Sequence, residues 1–158
     1  MGESTQSVSI RPATQDDQAF LMDLFASTRP EFSLLNLPES QMQALMSMQF
    51  NAQRQQYNAA YPQAESNIVW QDEERVGRIL VDRAEREITL VDIALLPQYR
   101  NAGIGSKLLR DLLAEASLTK IPVRLHVFQT NPALRLYERL GFSRVNDQSA
   151  HVEMIFQP

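Results

Sequence analysis

The chain has 158 residues, of which 44% are hydrophobic and 22% charged, with a formal net charge of −4 and no cysteine. That length suits one domain spanning residues 1–158, the composition argues against disordered and fibrous classes, and the missing cysteine removes disulfide scaffolds, cysteine metal sites and a cysteine nucleophile. The negative balance argues against nucleic acid or an anionic membrane as partner, and no apolar run approaches the roughly 18–20 residues of a membrane span.

Residues 1–9 are polar, carry Glu3 as their charged side chain, and lack the basic start and apolar stretch of a secretion signal, so the cytoplasm is the expected compartment. Val8 to Arg11 alternates up to Pro12 and predicts a short strand. Thr14 suits an N-cap, with Asp16 and Asp17 in the first turn of a helix that carries Phe20, Leu21, Leu24 and Phe25 and ends before Pro30. Residues 29–38 read as a loop. Pro38 and Glu39 open a second helix with Met42, Leu45, Met46, Phe50 and Tyr57 at helical intervals, and seven glutamines lie between Gln41 and Gln63. Its methionines read either as a core face or as a pliable wall over a cleft.

From Asn67 the period changes to two. Strands are expected over 67–71, 76–83 and 88–96, joined by polar turns at 72–74 and 84–85. A helix over 103–117, a strand over 123–127, a helix over 132–140 and two strands over 142–145 and 151–156 follow. Strands that first pair locally and then alternate with helices predict an α/β (α+β) class. The sheet is mixed and mostly antiparallel, with about seven strands and about four flanking helices.

Charge is unevenly distributed. Residues 1–60 hold six acids and three bases, whereas residues 100–144 hold eight bases and three acids. A basic segment in an acidic chain fits a small bound anion, or solvated helix faces with local ion pairs.

The segment that carries chemistry runs from Leu90 to Arg110, where a strand ends at Pro97 and an amphipathic helix starts near Gly103. Between them lies Arg100-x-x-Gly103-x-Gly105. The first-turn amides of a helix have no internal acceptor, the helix dipole adds positive charge there, and glycines leave no side chain in a ligand's way. Together these make a pyrophosphate cradle, with Arg100 and Ser106 as further donors. The order Gly105-Ser106-Lys107 is the reverse of a nucleotide P-loop ending, and the turn follows an antiparallel meander rather than an early βαβ unit.

This turn, with Ile93-Ala94-Leu95-x-Pro97 before it and Asn131-Pro-Ala-Leu-Arg-Leu-Tyr137-Glu-Arg-Leu-Gly141-Phe142 after one intervening strand, resembles the GCN5-related N-acetyltransferases over about residues 67–158. The resemblance implies that the strands 90–96 and 123–127 are parallel and splay apart in mid-sheet around acetyl-CoA. It further implies that main-chain groups of Ile93, Ala94 and Leu95 pair with the pantetheine arm, and that the turn of Arg100, Asn101, Ala102, Gly103, Ile104, Gly105 and Ser106 holds the pyrophosphate. Amides near Ala94 and Leu95 would then meet the charge that develops on the thioester oxygen.

Tyr137 corresponds to the family's general acid toward the leaving thiolate, or is a core tyrosine between Leu134 and Leu140. Asn131 corresponds to the CoA-contacting asparagine with a spacing to Tyr137 one residue shorter than usual. Thr130 stands in the aligned place, and Asn131 alternatively caps the helix ahead of Pro132. Asp92, a charge in an apolar strand, is a candidate base, or the partner of an arginine on the neighbouring strand. His126 could relay a proton through water, Glu31 could recognise an amine, and nothing is assigned to His151. Two histidines without a clustered acid make a metal unexpected.

The expected activity is direct transfer of an acetyl group from acetyl-CoA to a primary amine, of a small molecule or a peptide. The alternative is a non-catalytic CoA-binding sensor or interaction module on the same fold. A homodimer is compatible with either.

Overall fold

A computed structural model describes residues 7–147 and 149–158; the part of the 1–9 stretch before residue 7 lies outside the described residues. Seven strands form one sheet: β1 (Val8–Pro12), β2 (Glu65–Gln71), β3 (Glu74–Arg83), β4 (Ile88–Leu95), β5 (Val123–Phe128), β6 (Ser143–Asn146) and β7 (His151–Phe156), in the spatial order β1-β2-β3-β4-β5-β7-β6. All neighbours are antiparallel except β4 and β5. A parallel pair needs a crossover, which α3 (Ile104–Thr119) supplies, and α4 (Ala133–Arg139) joins β5 to β6.

The two faces of the sheet carry separate cores. On one face, α3 lays Leu108, Leu109, Leu112, Leu113 and Ala116 against Val81, Ile88, Leu125, Val152 and Met154, with Leu134 and Tyr137 of α4 beside them. On the other, α1 (Gln18–Ser27) and α2 (Glu39–Ala60) enclose Leu21, Leu24, Phe25, Phe50 and Ile68. The Phe25 and Phe50 rings meet edge to face at 5.7 Å. Among the described residues no helix is long and apolar enough to cross a membrane.

The expected elements are present, with boundaries shifted by one or two residues. Thr14 does cap: its Oγ1 accepts from the Asp16 amide, while its own amide donates to Asp17 at 2.8 Å. The capped segment is a 3₁₀ turn, Gln15–Asp17, that leads into α1. Asp17, nearly buried, is held below the ordinary carboxylate range: burial alone would raise it, but the Thr14 amide and Arg75, bonded at 2.7 Å, outweigh that. Pro12 ends β1 without cost because β1 is an edge strand. The loop expected over 29–38 contains a 3₁₀ stretch, Pro30–Leu35.

Of the α2 methionines, Met46 packs against the α1/α2 core. Met48 is 59% exposed, Met42 and Met46 are half-buried, and Phe50 is the buried side chain of this helix.

One irregularity shapes the centre. Leu80 pairs with Asp92 but Val81 with Leu90, so Val91 is an extra residue in β4. A bulge of this kind bends its strand and reverses the alternation of side chains beyond it. Ile88 and Leu90 before the bulge, and Ile93 and Leu95 after it, belong to the α3/α4 core, while Ala94 and Leu96 belong to the α1/α2 core. The same reversal turns Asp92 toward α1 and α2.

Opposite the bulged strand, Gly77 faces Leu95. A Cβ at residue 77 would lie 2.3 Å from the Ala94 carbonyl oxygen and 2.6 Å from Leu95 Cδ2. Backbone cannot yield as a side chain can. Gly77→Ala is therefore expected to cost about 2–3 kcal/mol, a fall in Tm of roughly 5–10 °C by calorimetry; an unchanged Tm would contradict this close approach.

Candidate active site

The β4–β5 ladder is short. It pairs Ile88 with Val123, Thr89 with Arg124 and Leu90 with Leu125, and then stops, although β4 runs on to Leu95 and β5 to Phe128. The break falls at the Val91 bulge. Beyond it β4 stays bonded to β3 through Leu95, so its other edge presents main-chain groups with no β5 partner. Such groups require a partner or solvent. A cavity of about 1290 Å³ occupies this gap, lined by both strands, by α1, α2 and the loop after α1, and by the start of α4.

At the far end of β4 the chain passes through a 3₁₀ turn, Pro97–Tyr99, into the glycine turn. Arg100 donates from Nε to the Leu95 carbonyl at 2.9 Å, tying this turn to the strand end. Asn101 adopts φ +61°, and Gly103, at the N-cap of α3, adopts φ +89° with no side chain capping the helix. Hydrogen bonding in α3 begins with the Lys107 amide donating to the Gly103 carbonyl at 3.0 Å. The amides of Ile104, Gly105 and Ser106 thus precede the first intrahelical donor. The Ile104 side chain is buried in the core, and a Cβ at Gly105 would meet only Leu95 Cδ1, at 3.9 Å. Residues 100–106, Ala102 among them, lie outside the cavity lining, as does Leu95, whose side chain joins the opposite core.

Asp92, Ile93, Ala94, Asn131 and Tyr137 all line the cavity, as do Glu31, His126, Thr130 and His151. Tyr137 is 6% exposed, packed edge to face on Phe142 at 5.7 Å. Burial, and then the negative charge of Asp92, push its phenol up to about 12. Asp92 forms an ion pair with Arg78 of β3, the adjacent-strand arginine that the sequence left open as its partner. Asn131 Oδ1 accepts from the Ala133 amide at 2.8 Å, the helix-start bond that was the alternative for this residue. His126 is held below its ordinary value by partial burial of its ring and then by Arg124 and His151, with Glu87 opposing; its imidazole is neutral at pH 7. His151 stacks on Phe128 at 4.1 Å.

The basic segment resolves in part into local pairs, Lys107 with Asp111, Arg124 with Glu87 and Glu153, and Arg144 with Glu138. Among the described residues no cluster of three or more His, Asp or Glu could hold a metal.

Sequence reasoning missed one wall. Thr28, Arg29, Gln53, Gln56, Tyr57, Tyr61 and Arg78 line the cavity opposite β5. Two signals were present: Arg78, like Asp92, interrupts an apolar strand, and Tyr57 follows Phe50 by seven residues on one helix face. Burial and Asp92 push the Tyr57 phenol up to about 12 against the opposing effect of Arg78 and Arg29. The wall over the cleft is made of glutamine and tyrosine rather than methionine.

The sheet is thus mixed, opens between its parallel strands β4 and β5, and carries a glycine turn at the start of the helix that follows β4. The family model for the acetyltransferase (GNAT) domain matches residues 63–144, just over half of the chain, and the chain belongs to that family of acetyltransferases. It is 33% identical over 72 residues to the [ribosomal protein bS18]-alanine N-acetyltransferase of Haemophilus influenzae, a match spanning 45% of this chain and 49%, about half, of that relative. Its fold is shared with the PaiA N-acetyltransferase of Thermoplasma acidophilum, solved in complex with coenzyme A, at TM-score 0.72 and 16% identity over 97% of this chain and 100% of that one. A GNAT acetyltransferase of Elizabethkingia anophelis with acetyl-CoA bound gives TM-score 0.63 and 14% identity over 97% and 99% of the two chains.

Proposed function

We propose that the chain transfers an acetyl group from acetyl-CoA directly to a primary amine seated in the cavity. The observation that carries this reading is the edge of β4 beyond Leu90, left without a β5 partner inside a cavity that Tyr137 also lines. Acetyl-CoA supplies the activated acyl group as a thioester. The residues present fit it in part: Ile93 and the Leu95 amide lie on the strand edge facing away from β3, although the Leu95 carbonyl is taken by Arg100 and Ala94 faces β3, and the turn from Arg100 to Ser106 offers first-turn amides with no Cβ at Gly103 or Gly105.

In this reading the Leu95 amide, on the strand edge facing away from β3, stabilises negative charge on the thioester oxygen, while the Ala94 groups face β3. Tyr137, still protonated at neutral pH, delivers its proton to the departing sulfur. Asp92, oriented by Arg78, takes the proton of the attacking amine. Thr130 stands free to replace Asn131 as the nearby polar contact, because the Asn131 oxygen is already engaged. A covalent acyl-enzyme is not part of the scheme, since the chain has no cysteine.

Release of free thiol from acetyl-CoA in the presence of an amine panel tests the activity; binding of CoA without amine-dependent thiol release would refute it. Asp92→Asn tests the base. The variant is expected to lose roughly 100-fold in kcat/KM with a changed pH–rate profile. An unaltered profile would pass the role to His126 or to a water relay.

A further inference from the structure

The cavity wall opposite β5 carries two guanidinium groups, Arg29 and Arg78. Arg78 is neutralised by its ion pair with Asp92. Arg29 makes no ion pair with any carboxylate among the described residues. Its guanidinium is nevertheless held in place: it lies 4.7 Å from the Phe25 ring centroid and donates from one nitrogen to the Thr28 hydroxyl at 3.2 Å and carbonyl at 3.4 Å. Phe25 is in turn locked against Phe50. A guanidinium presents five donors in a planar fork, so most of the Arg29 fork remains available. Glu31, two residues on and also lining the cavity, does not bond it. Arg29 lies close enough to Tyr57 to act on its phenol, as Arg78 and Asp92 do. The wall therefore orders its charges, with a carboxylate beside the open edge of β4 and an unneutralised, preorganised cation further out.

Building on the acetyltransferase reading above, we propose that the acceptor is a small aminocarboxylate of the α-amino-acid class. The Arg29 guanidinium holds its carboxylate, with the Tyr57 hydroxyl beside it, while its amine reaches toward Asp92 and the edge of β4. The chemistry balances without a further reactant. A nitrogen–carbon bond forms to the acyl carbon, the carbon–sulfur bond breaks, one proton leaves the amine and one reaches the sulfur. The carboxylate is unchanged throughout and serves recognition alone. An ionised pair of this kind discriminates strongly, because an acceptor lacking the carboxylate leaves the wall cation unmatched.

The test compares the standard L-amino acids, their carboxamides and an alanine-initiated hexapeptide as acceptors, with wild-type protein, Arg29→Gln and Arg29→Lys. At least one free amino acid is expected to exceed its own carboxamide in kcat/KM by about tenfold or more. In Arg29→Gln that ratio is expected to fall to near one through a rise in KM for the acid. Arg29→Lys, which keeps the charge, is expected to retain part of it. Carboxamides or the hexapeptide matching or outperforming the free acids, or a ratio that survives Arg29→Gln in folded protein, would overturn the proposal. So would binding of acetyl-CoA with no free amino acid acetylated. Calorimetry with CoA separates the two levels: failure to bind CoA would remove the acetyltransferase reading itself, whereas failure of the acid preference in a CoA-binding, amine-acetylating protein would remove this substrate class alone.

Discussion

Gly103→Val is expected to weaken CoA binding by more than about 100-fold, read as loss of the calorimetric signal. Gly103 sits at φ +89° at the start of α3, a conformation that a β-branched residue adopts at a cost of roughly 1–3 kcal/mol. The valine side chain would also project where, in the proposed reading, amides of the first turn meet a diphosphate, and each charge-assisted hydrogen bond lost there is worth about 1.5–3 kcal/mol. Since about 1.4 kcal/mol is a factor of ten, either effect is visible and both together remove binding. The residue is exposed, so the core of Ile104, Leu108 and Leu112 is untouched and the variant should fold. Gly103→Ala separates the two effects, because it keeps most of the strain and little of the obstruction. Wild-type affinity in Gly103→Val would take the diphosphate away from this turn.

Tyr137→Phe is expected to lower kcat by roughly 100-fold or more, the usual size of a lost general acid, while changing CoA affinity only a few-fold. The ring is what packs on Phe142 and fills the core beside Leu134; phenylalanine retains that packing. The hydroxyl has no hydrogen-bond partner among the described residues and stands in the cavity, so its removal orphans nothing. The phenol is raised to about 12 by burial and by Asp92, against an ordinary value near 10. The folded state therefore holds this proton more tightly than the unfolded chain does. Its contribution to stability is intact below pH 10 and is lost as the pH rises from 10 through about 12. Tyr57 behaves in the same way, so the protein should lose stability in that window, and less steeply with Tyr137 replaced. Full activity in Tyr137→Phe would mean that another group, or none, protonates the thiolate.

The chain is readable up to the point where one strand must know its neighbour. Local signals determined the elements: alternation marked the first strand, a change of period with polar turns and β-prone residues marked the later ones, Thr14 marked the entry to the first helix, and Gly103 with Gly105 marked the turn before α3, as the structure bears out. The glycine turn was legible because its chemistry lies in consecutive residues, where dipole, unpaired amides and missing side chains coincide. Two features were outside its reach. The bulge at Val91 exists only in the mismatch between Leu80–Asp92 and Val81–Leu90, and a mostly apolar strand interrupted by Asp92 does not say by itself where an extra residue sits. That one residue opens the gap beside β5 and sends Asp92 to the α1/α2 face instead of into the core. The wall facing it, with Arg29 from the loop after α1, Tyr57 from α2 and Arg78 from β3, is assembled from segments up to fifty residues apart in the chain. Periodicity tells which face of an element is buried, not which other element covers it; the wall of the cavity that carries Arg29, Tyr57 and Arg78 was decided by packing of α1 and α2 across the sheet, a choice made between elements rather than within any of them.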